Sequence, residues 1–134
     1  MDSYRPRETT VEAIRQFVRS VEGAVGVLDV HRTENFGEVL PHVLMADLTR
    51  WFVAAVTAGN DQATCAFLAA IEQLYLNGDP DILNVVQVSF MEYLTINPDT
   101  DEQAALAAMH HLAGPATTRD LVEQEHHWGR PTDR

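Results

Sequence analysis

The chain has 134 residues, of which 46% are hydrophobic and 22% are charged, and these values are typical of one globular domain. A chain of this size buries roughly two thirds of the surface that its unfolded form exposes, so we expect a single domain over residues 1–134 with flexible ends at 1–8 and 129–134. Its 20 acidic and nine basic residues give a formal net charge of -11, which argues against nucleic-acid binding because neutralising phosphates requires clustered cations. All nine basic residues are arginine, which excludes a lysine Schiff base, a lysine general base and a P-loop lysine.

The usual sequence signals for export and membrane insertion are absent. The first 20 residues hold four arginines and no apolar run of signal-peptide length. No other segment approaches the ~20 apolar residues that cross a bilayer. We therefore expect a cytoplasmic protein with no membrane partner. The lack of lysine beside abundant alanine, valine and arginine is typical of a GC-rich coding sequence, which indicates a bacterial source.

The chain has one cysteine, Cys65, and so cannot form an intramolecular disulfide. Cys65 lies inside an apolar helical run. Free cysteine is among the most buried residue types, so we expect Cys65 to be a small core residue rather than a nucleophile.

Hydrophobic periodicity predicts helices along most of the chain. A first helix is expected near 9–22, where Thr9 and Glu12 have the spacing of a capping box. Residues 23–37 are expected to form a loop with at most a short helical turn, because they carry three glycines and no clean hydrophobic period. The sequence thus predicts one helix and one long loop before the longer elements begin.

Two long helices are predicted in the middle of the chain. The first opens at Pro41, a residue well suited to the first helical turn, and ends at Gly59. The next has Asn60 or Asp61 as its cap and ends at Gly78. Such short breaks predict tight turns.

The remaining chain is also predicted to be helical. After a cap at Asp79, a run of about 15 residues is so rich in apolar side chains that a mostly buried helix fits it better than an alternating strand. Thr100 and Gln103 have capping-box spacing at the start of an alanine-rich helix that ends at Gly114. A last short helix is expected at 118–127.

The breaks at 59–61, 78–80 and 97–99 recur about every 19 residues. Helices of roughly 16 residues joined by turns of about three must run antiparallel. The sequence therefore predicts an all-α fold of about six helices. Its antiparallel helical hairpins would pack either as a short α-solenoid of the HEAT or armadillo kind or as an irregular helical bundle.

The negative charge is concentrated in one part of the chain. Residues 1–50 carry a formal charge of -2 and residues 119–134 carry -1, so -8 lies between positions 51 and 118, a stretch without any cationic residue. Five aspartates of this stretch sit at predicted helix starts, where a carboxylate can cap free amides and face the positive end of the helix dipole. These are Asp61, Asp79, Asp81, Asp99 and Asp101. Alternate turns of antiparallel hairpins emerge on the same side, so 59–61 and 97–101 should share one edge, and a basic partner would complement this charge.

Glu72 and Glu92 lie inside strongly apolar helices, away from any predicted helix start. Paired buried carboxylates can carry out acid–base chemistry or bind a metal. Alternatively, each carboxylate points to solvent or hydrogen-bonds a neighbouring helix through groups such as Asn84, Ser89 or Tyr75. We include both glutamates among the candidate partner-binding residues.

Two histidine pairs, at 110–111 and 126–127, are the other candidates for chemistry. Glu123 and His126 have the i, i+3 spacing used in di-iron bundles, but no second copy of the motif occurs. We therefore expect surface histidines, and we predict no metal site, no cofactor and no catalytic residue.

Three segments (40–52, 67–94 and 111–115) resemble an uncharacterised family of small bacterial all-helical proteins. The pattern is a leucine-proline-(His/Tyr)-Val start, an Asp before an aromatic helix end, a Glu before a Gly-Asp turn, an Asn-x-x-x-Val-Ser-Phe-x-Glu segment and a closing Gly-Pro. The matching residues are Leu40, Pro41, His42, Val43, Asp47, Glu72, Gly78, Asp79, Asn84, Val88, Ser89, Phe90, Glu92, Gly114 and Pro115. The resemblance covers about 36–128 and brings no established activity. It implies an immunity-like role in a toxin system and leaves 1–35 as a member-specific surface.

Three functions fit these features. The first is a non-enzymatic protein-binding module, most concretely an immunity or antitoxin-like protein that covers a basic partner, such as a toxin, with its acidic hairpins. The second is a helical adaptor or a homo-oligomeric structural protein. The third, which fits least well, is a metal-dependent enzyme that uses Glu72, Glu92 and the histidines.

Overall fold

The computed structural model describes residues 7–129, and within that range the chain forms helices and no β-strand. The helices are α1 (Glu8–Arg19), α2 (Val25–Glu34), α3 (Pro41–Thr57), α4 (Asp61–Asn77), α5 (Pro80–Val86), α6 (Tyr93–Thr95), α7 (Thr100–Leu112) and α8 (Pro115–His127). A π-helical segment, Gln87–Glu92, joins α5 to α6 without a break. The predicted all-α class is confirmed. Most of the predicted flexible ends lie outside the described residues, although Glu8 belongs to α1.

Local turn chemistry fixes most helix boundaries as the sequence predicts. Pro41 is the first residue of α3, and Asn60 caps α4 by accepting a hydrogen bond from the backbone N–H of Ala63. Gly78 ends α4 in the left-handed conformation, with φ of 78°, which glycine adopts without steric cost. Asp79 caps α5. These residues set the tight antiparallel turns.

Both predicted capping boxes are wrong in detail. Thr9 lies inside α1, which starts after Arg7 and has no side-chain cap. The box of α7 is formed by Asp99 and Glu102, one residue before the predicted pair, because Asp99 has the extended backbone that a cap requires while Thr100 is already helical. Likewise α8 begins at Pro115 rather than 118.

The predicted loop at 23–37 is wrong, because α2 occupies most of it. Of the residues of α2, His31 is buried, and its Nε2 accepts a hydrogen bond from the backbone N–H of Leu40. The rest of the helix lies on the surface against α1 and α3. A surface helix with apolar residues on several sides shows no clean period, and this hid α2 from the sequence reasoning.

A single hydrophobic core lies around α3, which contacts α1, α2, α4, α5, the π segment and α7. Phe52, Phe67 and Phe90 are fully buried at its centre, and the rings of Phe52 and Phe67 stack at 4.8 Å between centroids. In a solenoid each hairpin contacts only its neighbours in sequence. The contacts of α3 therefore identify the irregular bundle and not the solenoid.

Cys65 is exposed, contrary to the prediction. The buried side of α4 carries Phe67, Leu68 and Ile71. Cys65 lies on the opposite side with the exposed Ala69 and Leu76, four and eleven residues further on, which is the spacing of one helical face. An alanine-rich face looks as apolar as a buried one, so composition misplaced this residue.

Side-chain hydrogen bonds from α3 hold the π segment. The Thr49 hydroxyl lies 3.0 Å from the Ser89 carbonyl oxygen and 2.7 Å from that of Met45, and it donates between them. His42 Nδ1 is 2.8 Å from Ser89 Oγ. These contacts hold α3 and the π segment in register.

The stacked phenylalanines also show which turns share an end of the bundle. Only residues 78–79 separate α4 from α5, and these two helices pack against each other, so the helix from α5 to α6 runs back along α4. The 5.8 Å distance between the rings of Phe67 and Phe90 agrees with this direction, and residues 58–60 and 96–99 therefore emerge at the same end. We call this the Asn60 end. The opposite end, with residues 78–79 and 113–114, is the Gly78 end.

No helix in the described part of the chain combines the length and hydropathy needed to cross a membrane.

Candidate functional site

The Asn60 end carries a group of carboxylates that we call the acidic end: Glu22, Asp61, Asp99, Asp101 and Glu102. Asp61 and Asp101 lie exposed in the first turns of α4 and α7. Asp99 and Glu102 cap α7, since the Glu102 N–H donates to Asp99 Oδ1 at 2.8 Å and the Asp99 N–H donates to Glu102 Oε1 at 3.0 Å. Glu22 is exposed and lines a shallow cavity with Asn60 and Gln62.

Within residues 7–129, none of these five carboxylates forms an ion pair. The caps of α7 stabilise the fold locally, but they are made to neutral backbone amides and leave the negative charge in place. The five carboxylates of the acidic end therefore keep their negative charge. The residues predicted from the sequence include Asp61, Asp99 and Asp101. They do not include Glu102, or Glu22, which belongs to the nearly balanced part of the sequence.

Asp79 and Asp81 lie at the other end and are engaged differently. Asp79 Oδ1 accepts the N–H groups of Asp81 and Ile82 at 2.9 and 3.3 Å. Asp81 forms an ion pair with Arg7, whose Nη1 is 2.8 Å from Asp81 Oδ2. Arg7 is 74 residues away in sequence, so the stretch that looked free of cations receives one through the fold. The predicted aspartates thus separate into two groups with different surroundings.

The Glu72 carboxylate caps α8 from a neighbouring helix. It accepts hydrogen bonds from the Ala116 N–H at 3.0 Å, the Thr117 N–H at 2.9 Å and the Thr117 hydroxyl at 2.7 Å. Burial by itself raises the pKa of Glu72, but these hydrogen bonds and the charge of Arg119 hold the pKa below its usual value. The helix has no side-chain cap of its own. Glu72 therefore has a structural role, with partners other than the expected Asn84, Ser89 or Tyr75.

Gly114 makes room for this cap. A Cβ added at Gly114 would lie 2.5 Å from Cδ and 2.6 Å from Oε1 of Glu72, which is far inside van der Waals contact. The backbone conformation of Gly114 is an ordinary extended one, with φ of -72°. Glycine is therefore required here because a Cβ would clash with Glu72, and not because of its backbone conformation.

Two further polar contacts attach α8 to the bundle. The Tyr75 hydroxyl donates to Asp120 Oδ2 at 2.5 Å, and His110 Nε2 lies 2.8 Å from Glu125 Oε1. Burial raises the pKa of Asp120 above its usual value, and burial together with the neighbouring carboxylates raises the pKa of Tyr75. Most of the buried titratable groups around α8 are thus hydrogen-bonded to one another.

Glu92 lies apart from Glu72. It is half-buried and lines a shallow pocket with residues 123–124 and 126–128 near the end of α8, whereas Glu72 contacts the start of that helix. About eight residues of helix separate these contacts, so the two carboxylates are on the order of 10 Å apart or more. The structure does not bring the two glutamates together as a pair.

Exposed His126 and His127 share the Glu92 pocket with Glu123. Among residues 7–129, no group of three or more His, Cys, Asp or Glu side chains is arranged to hold a metal ion.

The fold and the acidic end define an all-α helical bundle with an acidic surface at one end. The model of a family described as a domain of unknown function, DUF7674, matches residues 12–129, and the chain belongs to this family. The resemblance to an uncharacterised family is confirmed to this extent. The match also includes residues 12–35, so most of the segment expected to be member-specific is part of the family domain. No curated protein and no solved structure gives a significant match.

Proposed function

We propose that this protein is a non-enzymatic protein-binding module whose acidic end receives a basic protein partner. In its most specific form, it is a bacterial, cytoplasmic immunity or antitoxin-like protein that covers the cationic surface of a toxin. The observation that carries this proposal is that five carboxylates gather at the Asn60 end without an ion pair among the described residues.

Electrostatics favours the acidic end over the other candidate residues. Arg7 pairs with Asp81, and Glu72 is occupied by the start of α8. The carboxylates of Asp81 and Glu72 are therefore not fully free to bind a partner. Uncompensated surface charge of one sign speeds association with a partner of opposite sign and excludes partners of like sign.

The placement of the buried titratable groups supports binding rather than catalysis. Catalytic acids and bases usually face a cleft that admits a substrate. Here Asp120 is hydrogen-bonded to Tyr75 and Glu125 to the more exposed His110, and these two contacts attach α8 to neighbouring helices. The raised pKa values of Tyr75 and Asp120 therefore have a structural explanation.

A co-expression experiment tests the proposal. The full chain, carrying an affinity tag, is expressed with the product of each neighbouring gene and purified at low salt. We expect one basic protein to co-purify in stoichiometric amount. The complex should weaken as the salt concentration rises through about 0.1 M, where the Debye length has fallen to ~10 Å. If no neighbouring product forms a stoichiometric complex, the proposal is wrong.

Two matched variants then test the surface. Asp61→Asn with Asp101→Asn removes two charges from the acidic end without touching a cap. Glu8→Gln with Glu38→Gln removes two exposed charges elsewhere, one of them also from the first turn of a helix. Complex formation at low salt should fall for the first variant and stay near wild type for the second. Equal effects would mean that net charge, and not the acidic end, governs binding.

A further inference from the structure

Phe36 is displayed at the surface in a conformation that non-glycine residues rarely adopt. Its side chain is 98% exposed and its φ is 57°. It follows the last residues of α2, where the Gly37 N–H donates to the Arg32 carbonyl at 2.7 Å in the pattern of a Schellman motif. Glycine is the usual residue at the position that Phe36 occupies. A strained, fully exposed phenylalanine points to an interaction.

A groove with a mainly apolar floor lies between α2 and α3. Its floor is formed by Gly23, Gly26, Val27, Val30 and Trp51, and its volume is about 560 Å³. Nothing lies within 4 Å of the position that a Cβ on Gly26 would take, so the groove is open there. It is large enough for an aromatic side chain.

The outer face of α2 has no partner among the described residues. Val25 is 48% exposed and Val30 is 57% exposed. The close packing contacts of α2 within the described residues are with α1 and α3. Phe36 lies just beyond the end of α2 and the groove lies along this helix, so both belong to the surface around α2. That combination is what an isologous interface between two identical chains requires, because each copy contributes the same patch.

Charge favours a second copy as the occupant. The rim of the face carries three acidic residues and two arginines, and one of these pairs, Asp47 with Arg50, is an ion pair. The charged residues are Asp29, Arg32, Glu34, Asp47 and Arg50. Such a nearly neutral face offers little to a basic partner. It is also where two chains of charge -11 can approach without strong repulsion.

We propose that two copies of this chain form a closed dimer through the α2 face, with Phe36 of each copy in the groove of the other. An antiparallel pairing of the two α2 helices brings Phe36, beyond the end of one α2, alongside Gly23 and Gly26 at the start of the other. Val30, near the middle of the helix, then lies at the two-fold axis. The face borders the acidic end at Gly23, which also lines the cavity beside Glu22, whereas Asp61, Asp99, Asp101 and Glu102 do not line the groove. Self-association of the chain alone can be measured without the proposed basic partner.

Sedimentation equilibrium of the purified full chain, from about 1 μM to about 500 μM, tests the dimer directly. We expect a single monomer–dimer equilibrium. Phe36→Asn should weaken it by roughly 100-fold or more, because truncating a buried anchor in a symmetric interface removes it twice. Asparagine tolerates positive φ, so this variant should keep the helix content and the Tm of the wild-type monomer.

A second variant and a control separate dimer loss from misfolding. Gly26→Gln places a good helix former in open space in the monomer and fills the groove, so it should also yield monomers. Leu76→Gln removes an exposed apolar side chain from α4 and should leave the dimer unchanged. A wild-type protein that stays monomeric, a dimer unaffected by both variants, or assembly that grows beyond the dimer would each overturn the proposal.

Discussion

Replacing Gly114 with alanine should destabilise the protein through a contact 42 residues away in sequence. The new Cβ would lie 2.5–2.8 Å from three atoms of Glu72, so the carboxylate must leave the start of α8. Two backbone N–H groups and one hydroxyl would then lose their acceptor. Loss of a helix cap costs about 0.5–2 kcal/mol, and hydrogen bonds to a charged acceptor contribute about 1.5–3 kcal/mol. Because water can reach part of the carboxylate, we expect a loss of about 2 kcal/mol.

A double-mutant cycle identifies the cause of that loss. Glu72→Ala should itself cost about 2 kcal/mol for the same reason. Once the glutamate side chain is gone, a Cβ at Gly114 has room, and the extended backbone there suits alanine. Gly114→Ala should therefore be nearly neutral in the Glu72→Ala background, which gives a coupling energy of about 2 kcal/mol.

Urea unfolding followed by circular dichroism gives the free energies of the four proteins. The Tm of each single variant should fall by roughly 6–10 °C, from about 3–5 °C per kcal/mol for a domain of this size. If Gly114→Ala costs the same with and without the Glu72 side chain, the cap is not what the glycine protects.

Three further predictions concern stability. Phe36→Gly should stabilise the monomer by about 0.5 kcal/mol in thermal or urea unfolding, because relief of the left-handed strain slightly exceeds the added freedom of the unfolded chain; a destabilised variant would contradict this. Glu72 has a lowered pKa in the folded state, so its charge stabilises the fold above its unfolded pKa, and this stabilisation is lost as pH falls through its folded pKa. Glu72→Gln should therefore lose less free energy of unfolding than the wild type between neutral and acidic pH. An unchanged dependence of this free energy on pH would refute the role of the charge. Asp120 has a raised pKa, so its protonated form stabilises the fold below its unfolded pKa, and this stabilisation is lost as pH rises through its folded pKa. Asp120→Asn keeps an acceptor for the Tyr75 hydroxyl and has no such pH dependence, so its stability relative to the wild type should be higher at pH 7 than at acidic pH. Urea unfolding at both pH values measures this difference, and the opposite trend would contradict the prediction.

The parts of the fold that the sequence predicted well are those decided by local chemistry. Proline at the start of α3, the asparagine cap of α4 and the left-handed Gly78 act within one helical turn of themselves. Their effect can be read from neighbouring residues. The same locality explains why the capping box of α7 was misplaced by only one position.

The errors arise where the environment of a residue is set by distant parts of the chain. Cys65 and α2 have apolar sequence neighbours, but the bundle leaves one side of each uncovered. Glu72 is half-buried because α8 folds back over it, and its partners lie 44 and 45 residues away. No hydrophobic period encodes such a cap.

The candidate site likewise has features that the sequence predicts and features that depend on the fold. Sequence arithmetic located the negative charge between positions 51 and 118, and the turn pattern placed Asp61 and Asp101 at one end of the bundle. Arg7, which neutralises Asp81, could be found only through the fold. The sequence does not single out Phe36, because its exposure depends on α2, which lies within the predicted loop at 23–37. A phenylalanine followed by Gly37 at the end of a short helix is the local pattern that could have drawn attention to it.

The rate of association with the co-purified basic partner, measured by stopped flow over a series of salt concentrations, tests the acidic end most directly. For the wild type, the rate constant should fall steeply as salt rises. Asp61→Asn with Asp101→Asn should slow association severalfold at low salt and converge with the wild type at high salt. The Glu8→Gln with Glu38→Gln control should follow the wild-type curve closely. If the two double variants give the same salt dependence, the acidic end does not steer the partner, and the central claim is contradicted.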